Sequence, residues 1–155
     1  MTPAINYLKK AKIRFKLHKY DHDSSSKAYG EEAAEKLKLS FDLIFKTLVV
    51  EICSKNFVVA IVPVSKQLDL KAFAKAVSVK KVNMAYKKDV EQATGYILGG
   101  VSPIAQKKKL KTIIDSSALK FKSIYVSAGR RGLQIELSPD DLCAHTSAAF
   151  NKISR

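Results

Sequence analysis

The chain has 155 residues, is 46% hydrophobic, and carries 28 Lys and Arg against 14 Asp and Glu, a formal net charge of +14. That size and apolar content suit a single domain, expected over residues 1–155. No apolar run approaches the ~20 residues of a membrane helix, and no apolar signal region accompanies Lys9 and Lys10, so a cytoplasmic chain with no membrane partner is expected. The positive surplus points to a polyanion, with nucleic acid the first candidate. Cys53 and Cys143 have no CxxC partner and sit among apolar neighbours. They read as small buried thiols of a reducing compartment.

Thr2-Pro3 is a helix start, a hydroxyl cap followed by proline at the first helical position. Ala4, Ile5, Leu8 and Ala11 then recur at helical spacing. Ile13, Phe15 and Leu17 alternate with Lys12, Arg14, Lys16 and His18, which predicts a half-buried strand, basic on its outer face. It runs into Tyr20-Asp21-His22-Asp23 and a serine loop. A helix is expected over 31–37. Strands over 45–52 and 57–62 flank Cys53-Ser54-Lys55-Asn56 as a hairpin. Asp69 caps a helix with Leu70, Phe73, Ala74 and Val77 on its apolar face. A short strand over 82–85 and a short helix over 88–93, stopped by Thr94-Gly95, come next. Strands over 112–114, 124–127 and 133–137 follow, the last two joined by Gly129-Arg130-Arg131-Gly132. Ser138-Pro139-Asp140-Asp141 starts a final helix expected to run through the C-terminus. Strict β-α alternation is missing, so the expected class is α+β, with a mainly antiparallel, barrel-like sheet surrounded by helices.

Thr94-Gly95-Tyr96-Ile97-Leu98-Gly99-Gly100-Val101-Ser102-Pro103 is the stretch richest in chemistry. Its glycines allow close backbone approach, and exposed N–H groups there could hold a phosphate or an oxyanion. It lacks the GK[ST] of a P-loop and the spacing of a dinucleotide fingerprint. A tight turn with a bulge is the competing reading. Lys107, Lys108, Lys109 and Lys111 follow at once, as a phosphate track or a solvated face. Lys46 sits inside the apolar strand Phe45-Lys46-Thr47-Leu48. Periodicity alone turns it outward, and an anion pocket is the alternative. Asp21-His22-Asp23 has no second ligand cluster, so no metal and no cofactor is expected.

Several of these blocks, in order, resemble the YbaK proteins, stand-alone relatives of the editing domain inserted in bacterial prolyl-tRNA synthetases. The similarity covers Met1-Thr2-Pro3-Ala4-Ile5, Tyr20-Asp21-His22-Asp23, Glu32-Ala33-Ala34-Glu35-Lys36-Leu37 and Phe45-Lys46-Thr47-Leu48. It continues through Thr94-Gly95-Tyr96, Gly99-Gly100-Val101-Ser102-Pro103, Gln106-Lys107-Lys108, Tyr125-Val126-Ser127 and Gly129-Arg130-Arg131-Gly132-Leu133. The resemblance implies a deacylase of mischarged tRNA, associated with Cys-tRNA(Pro) and Cys-tRNA(Cys). It implies Lys46 as the central pocket residue with Tyr20 beside it, and Gly99 and Gly100 offering N–H groups to the ester carbonyl. Ser102 and Pro103 would complete that wall, and Ser127 with Gly129 would close it. Phe45, Gly95, Tyr96 and Val101, from the same blocks, join the substrate-binding set. Lys107, Lys108, Lys109, Lys111, Arg130 and Arg131 are the candidate nucleic-acid contacts.

The same resemblance implies a partner, the acceptor end of tRNA, with prolyl-tRNA synthetase as a helper in tRNA choice. It also implies a route in which the cysteine thiol attacks its own ester and leaves as a thiolactone, a lyase-like cleavage. Two positions depart from the family pattern, Ala105 for a glycine and Ala128-Gly129 for a glycine pair, and each adds a methyl group. They leave a deacylase for another misacylated tRNA, such as Ala-tRNA(Pro), as an alternative. A non-catalytic nucleic-acid-binding module is the alternative from charge and aromatics.

Overall fold

A computed structural model describes all residues, Met1–Arg155. Helix α1 (Pro3–Lys10) begins where Thr2 accepts the Ile5 N–H at 3.2 Å. Its apolar face, Ala4, Ile5 and Leu8, enters the largest core. Strand β1 (Lys16–Lys19) is followed by α2 (Tyr29–Leu37). The hairpin is β2 (Phe45–Cys53) against β3 (Asn56–Pro63). Then come α3 (Leu70–Ala76), capped by Asp69 on the Ala72 N–H, the short β4 (Asn83–Met84), and α4 (Lys87–Thr94), which Gly95 ends in the left-handed region. Strands β5 (Lys111–Asp115), β6 (Ile124–Ser127) and β7 (Leu133–Leu137) precede α5 (Pro139–Thr146), capped by Ser138, and β8 (Ala149–Asn151).

The strands form an antiparallel three-stranded sheet, β1-β7-β6, and a mixed five-stranded sheet, β4-β2-β3-β5-β8. In the larger sheet β2 is antiparallel to both β3 and β4, while β3–β5 and β5–β8 are parallel. A bridge between Ile44 and Tyr125 joins the two sheets at one corner. The class is α+β, as expected, and the sheets meet at that corner without closing a barrel.

That topology leaves a gap. On the side of β2 away from β3, β4 pairs only with Val50 and Glu51, and the Tyr125 bridge touches only Ile44. The Ala85 N–H still donates to the Val49 carbonyl at 3.0 Å, but the intervening edge, Phe45 to Leu48, has no strand hydrogen-bonded to it. An unpaired strand edge is a surface that proteins cover or use.

Three local expectations fail. α5 stops at Thr146, because Ser147 turns left-handed with φ 51° and Ala149–Asn151 then pair with β5. Asp115 fixes the tail beyond, accepting the N–H groups of Ile153 and Ser154 at 3.0 and 3.1 Å. In β1 the alternation breaks. Leu17 faces solvent, while His18 turns inward to meet Glu136 at 2.9 Å and the Tyr125 ring edge-on. Cys53 is exposed at the hairpin turn, and Cys143 is only partly buried, donating to the Ala148 carbonyl. No helix is long and apolar enough to cross a membrane.

Candidate active site

The open edge of β2 is the floor of a cleft of about 390 Å³. Phe45 to Val49 line it from below. Lys27 to Glu31, at the start of α2, form one wall, and Met84, Ala85 and Val90 another. Leu98, Gly99 and Val101 close it from the glycine loop, with Ser127 and Gln134 at the end where the two sheets meet. Lys46 is half-buried and lines this cleft. That is the pocket alternative, not the open outer face that periodicity alone suggests.

Two buried side-chain oxygens in this lining have no hydrogen-bond partner, Thr47 Oγ1 and Gln134 Oε1. Gln134 is only 7% exposed. A buried acceptor without a partner costs roughly 1–3 kcal/mol, so each of these oxygens calls for a partner from water, an ion or a ligand. The phenol of Tyr20, whose backbone N–H donates to the Gly132 carbonyl at 3.0 Å, is half-buried. Burial raises that phenol above the ordinary tyrosine value, against opposing hydrogen bonds from Gly132 and Gln134. Tyr20 itself is not part of the cleft lining.

The glycine loop is held from both sides. The Leu98 N–H donates to Glu91 Oε2 at 3.0 Å, and the Leu98 carbonyl accepts Arg131 Nε and Nη2 at 3.0 and 2.7 Å. The same guanidinium lies 4.9 Å from the centroid of the Tyr29 ring, a cation–π contact. Gly99, at φ 87°, lies so close to that ring that a side chain would meet it at 2.7 Å. Only glycine satisfies both conditions.

The oxyanion expectation needs correction at Gly100. Its N–H already donates to the Ile97 carbonyl at 2.9 Å, and it packs on the Arg130 backbone, where a side chain would clash at 2.7 Å. Gly100 shapes the loop. The N–H groups of Gly99 and Val101 have no partner within the chain, and both residues line the cleft.

Five other expected residues stand outside the lining. Tyr96 is 4% exposed in the main core and donates its hydroxyl to the Ile104 carbonyl at 2.6 Å, and burial pushes its phenol up to about 12. Gly95 caps α4. Ser102 is fully buried, its hydroxyl accepting the Ile104 N–H at 3.3 Å. Gly129 lies behind the wall, donating to Ser127 Oγ at 3.1 Å. Pro103 lines a second cleft of about 310 Å³, together with Lys108, Lys109, Tyr7 and His145. Lys107, Lys108, Lys109, Lys111 and Arg130 are exposed, whereas the Arg131 head is engaged by Leu98 and Tyr29.

Neither departure from the glycine pattern narrows the main cleft, because Ala105 and Ala128 are both absent from its lining. Ala105 does sit at φ 56°, a strained region for alanine. Ala128 has no positive φ, and its carbonyl accepts the Thr2 hydroxyl. His22 Nδ1 lies 2.6 Å from Glu32, and the Asp23 N–H donates to the same carboxylate at 2.8 Å, which explains that segment as a loop lock. Sequence reasoning missed Thr47, Gln134, Tyr29 and Glu31. Gln134 alternates with Leu133 and Ile135 and so reads as solvent-facing. Glu31, the one carboxylate in the lining, reads as a helix N-terminal charge.

The model of the aminoacyl-tRNA editing domain matches residues 24–144. EbsC of Enterococcus faecalis, which carries the provisional name of a Cys-tRNA(Pro)/Cys-tRNA(Cys) deacylase, is 40% identical, covering 99% of this chain and 93% of its own. The solved structure of hypothetical protein APE2540 superposes with a TM-score of 0.88 at 26% identity, covering 99% of both chains. A protein described provisionally as a trans-editing enzyme for prolyl tRNA synthetase superposes at 0.84 with 21% identity, covering 100% of this chain and 98% of its own. This last likeness is one of fold.

Proposed function

Because the chain belongs to the aminoacyl-tRNA editing domain family, we propose that it is a deacylase that removes cysteine from mischarged tRNA(Pro), with Cys-tRNA(Cys) as a second substrate. It acts as one editing domain over residues 1–155 in the cytoplasm, on the acceptor end of tRNA, with prolyl-tRNA synthetase as the partner in tRNA choice. The observation that carries this reading is the cleft on the open edge of β2, which gathers Lys46, the free Gly99 and Val101 N–H groups and the orphaned oxygens of Thr47 and Gln134.

These groups match an aminoacyl ester. The α-ammonium of the substrate supplies the donor that Gln134 Oε1 and Thr47 Oγ1 lack. The Gly99 and Val101 N–H groups face the ester carbonyl, where an oxyanion develops. A cysteine thiol, with an ordinary pKa of about 8.5, is partly ionised at neutral pH, and the Lys46 ammonium favours its thiolate. The thiolate attacks its own carbonyl carbon, the C–O bond to the terminal ribose breaks, and the ribose oxygen takes a proton from solvent. The products are a cyclic thiolactone and free tRNA. The protein contributes orientation and charge stabilisation, and esters of alanine or serine lack the nucleophile.

Glu31 in the wall supports a second route on the same ester, in which its carboxylate activates a water and the first product is free cysteine. The Ala-tRNA(Pro) alternative loses its support, since neither extra methyl lines the cleft.

The test is deacylation of Cys-tRNA(Pro), Ala-tRNA(Pro) and Pro-tRNA(Pro) by the wild type and by Lys46→Ala, with trapping of the first product. Loss of cysteine alone, abolished in Lys46→Ala while tRNA binding persists, is expected. Trapped thiolactone establishes the thiol route, and free cysteine lost in Glu31→Gln establishes the water route. Tight tRNA binding with no deacylation of any ester would leave a binding module.

A further inference from the structure

The mouth of the cleft carries apolar surface that the reaction above does not use. Met84 is 44% exposed, Tyr86 75% and Ile97 54%. Tyr86 starts α4 and Ile97 follows its far end. Met84 and Ala85 line the cleft just before Tyr86, and Val90, one turn into α4, lines it too, with its N–H on the Tyr86 carbonyl at 3.0 Å. Ile97 adjoins Leu98, which Glu91 ties to α4. The fold gives no reason for an aromatic ring at residue 86. Its side chain makes no capping bond to α4, and no other ring or cation packs on it.

Resting on the editing reading, we propose that Tyr86, two residues beyond the cleft-lining Met84, is the platform on which the terminal adenine base of the aminoacyl-tRNA stacks. The amino acid is esterified to the terminal ribose, so once it fills the cleft the attached base must lie immediately outside the mouth. A base offers a flat π-face, and an exposed aromatic ring is its usual partner in single-stranded recognition. The neighbouring Lys87 and Lys88 are exposed, and Lys27 lines the cleft, which supplies charge for the adjoining phosphates. A protein partner fits less well. A stable protein interface covers about 800 Å² on each side with an apolar centre, whereas Met84 and Tyr86 are a small apolar patch bordered by the exposed Lys87 and Lys88.

The experiment is steady-state deacylation of Cys-tRNA(Pro) by the wild type, Tyr86→Ala and Tyr86→Phe at two salt concentrations, with melting temperatures measured in parallel. Loss of a stacked base predicts a KM roughly tenfold higher in Tyr86→Ala. Its kcat stays near the wild-type value, because the interaction is equal in ground and transition states. Tyr86→Phe retains the wild-type KM, the KM ratio is the same at both salt concentrations, and all three proteins melt together. A wild-type KM in Tyr86→Ala overturns the proposal, as does a defect that appears only when prolyl-tRNA synthetase is added, which would make the rim a protein-docking surface. A wild type that leaves the ester intact overturns the editing reading, and this proposal with it. An active wild type with an unaffected Tyr86→Ala overturns the stacking alone.

Discussion

At the scale of single residues, the site trades stability for binding. Thr47 Oγ1 is buried in the cleft with no partner, so the folded protein carries its desolvation cost until a ligand arrives. Thr47→Val keeps the shape and the β-branching while removing the orphaned oxygen. It is expected to raise stability by about 1 kcal/mol and to lower kcat/KM for Cys-tRNA(Pro) by about tenfold. Thermal melting and steady-state kinetics on the same preparation read both effects, and a variant less stable than the wild type would mean that the hydroxyl has a partner in the free protein. Sequence reading could not find this residue. Thr47 follows Lys46 in a strand of β-formers, where a threonine draws no notice. Gln134 was hidden for the same reason, because an alternating polar residue in a strand reads as solvent-facing and here the adjacent space is the cleft. Lys46 differs: periodicity alone places it on an open outer face, and only the walls that α2, α4 and the glycine loop build around β2 make its surroundings a pocket.

At the scale of elements, the helix starts were legible because capping chemistry is local. Thr2, Asp69 and Ser138 each bond the N–H expected of a cap. The C-terminal segment was not legible, since its conformation depends on distant β5 and on the Asp115 carboxylate. The glycine loop was visible as a ligand-approach segment, but its clamp was not, because Glu91, Leu98 and Arg131 meet only in three dimensions. The bidentate Arg131 bond to Leu98 fixes the peptide preceding Gly99. Arg131→Ala is expected to release the loop and lower kcat about tenfold, a fraction of what removing an oxyanion donor outright costs. Arg131→Lys should not restore it, because an ammonium cannot reproduce the fork. Rapid-quench single-turnover assays separate this from a tRNA-binding defect. If Arg131 instead contacts phosphate, KM alone will rise, and Lys will largely rescue it.

At the scale of the whole molecule, three carboxylates tie distant segments together and are held below their ordinary pKa. Burial by itself would raise Asp115, but hydrogen bonds from Ser117, Ile153 and Ser154 outweigh it. Glu32 is likewise opposed by burial and lowered by the Asp23 N–H, His22 and Lys36, while Glu136 is lowered first by Ser123. A depressed folded pKa gives stability that is fully present above the unfolded value and is lost as pH falls through the folded one. The melting temperature should therefore hold above the ordinary carboxylate range, near pH 4, and drop below it. Asp115→Asn should lower the plateau and flatten the acid limb, as read by melting across a pH series.

The net charge of +14 belongs to this scale too. Composition made a polyanion partner legible, but not the face that meets it. Lys107, Lys108, Lys109 and Lys111 are exposed on the segment just after the glycine loop and stand in no ion pair. Each lysine that neutralises a phosphate releases counterions, so the slope of log K against log salt shrinks by roughly 0.7–0.9 for each contact removed. Replacing all four by glutamine is therefore expected to flatten the slope for tRNA binding by about 3. The kcat on saturating Cys-tRNA(Pro) should remain unchanged, because none of the four lines the cleft on β2. Fluorescence titrations at several salt concentrations measure the slope. An unchanged slope would move the tRNA path off this segment and onto the lysines around the rim at Tyr86, where the acceptor end must already pass to deliver its ester.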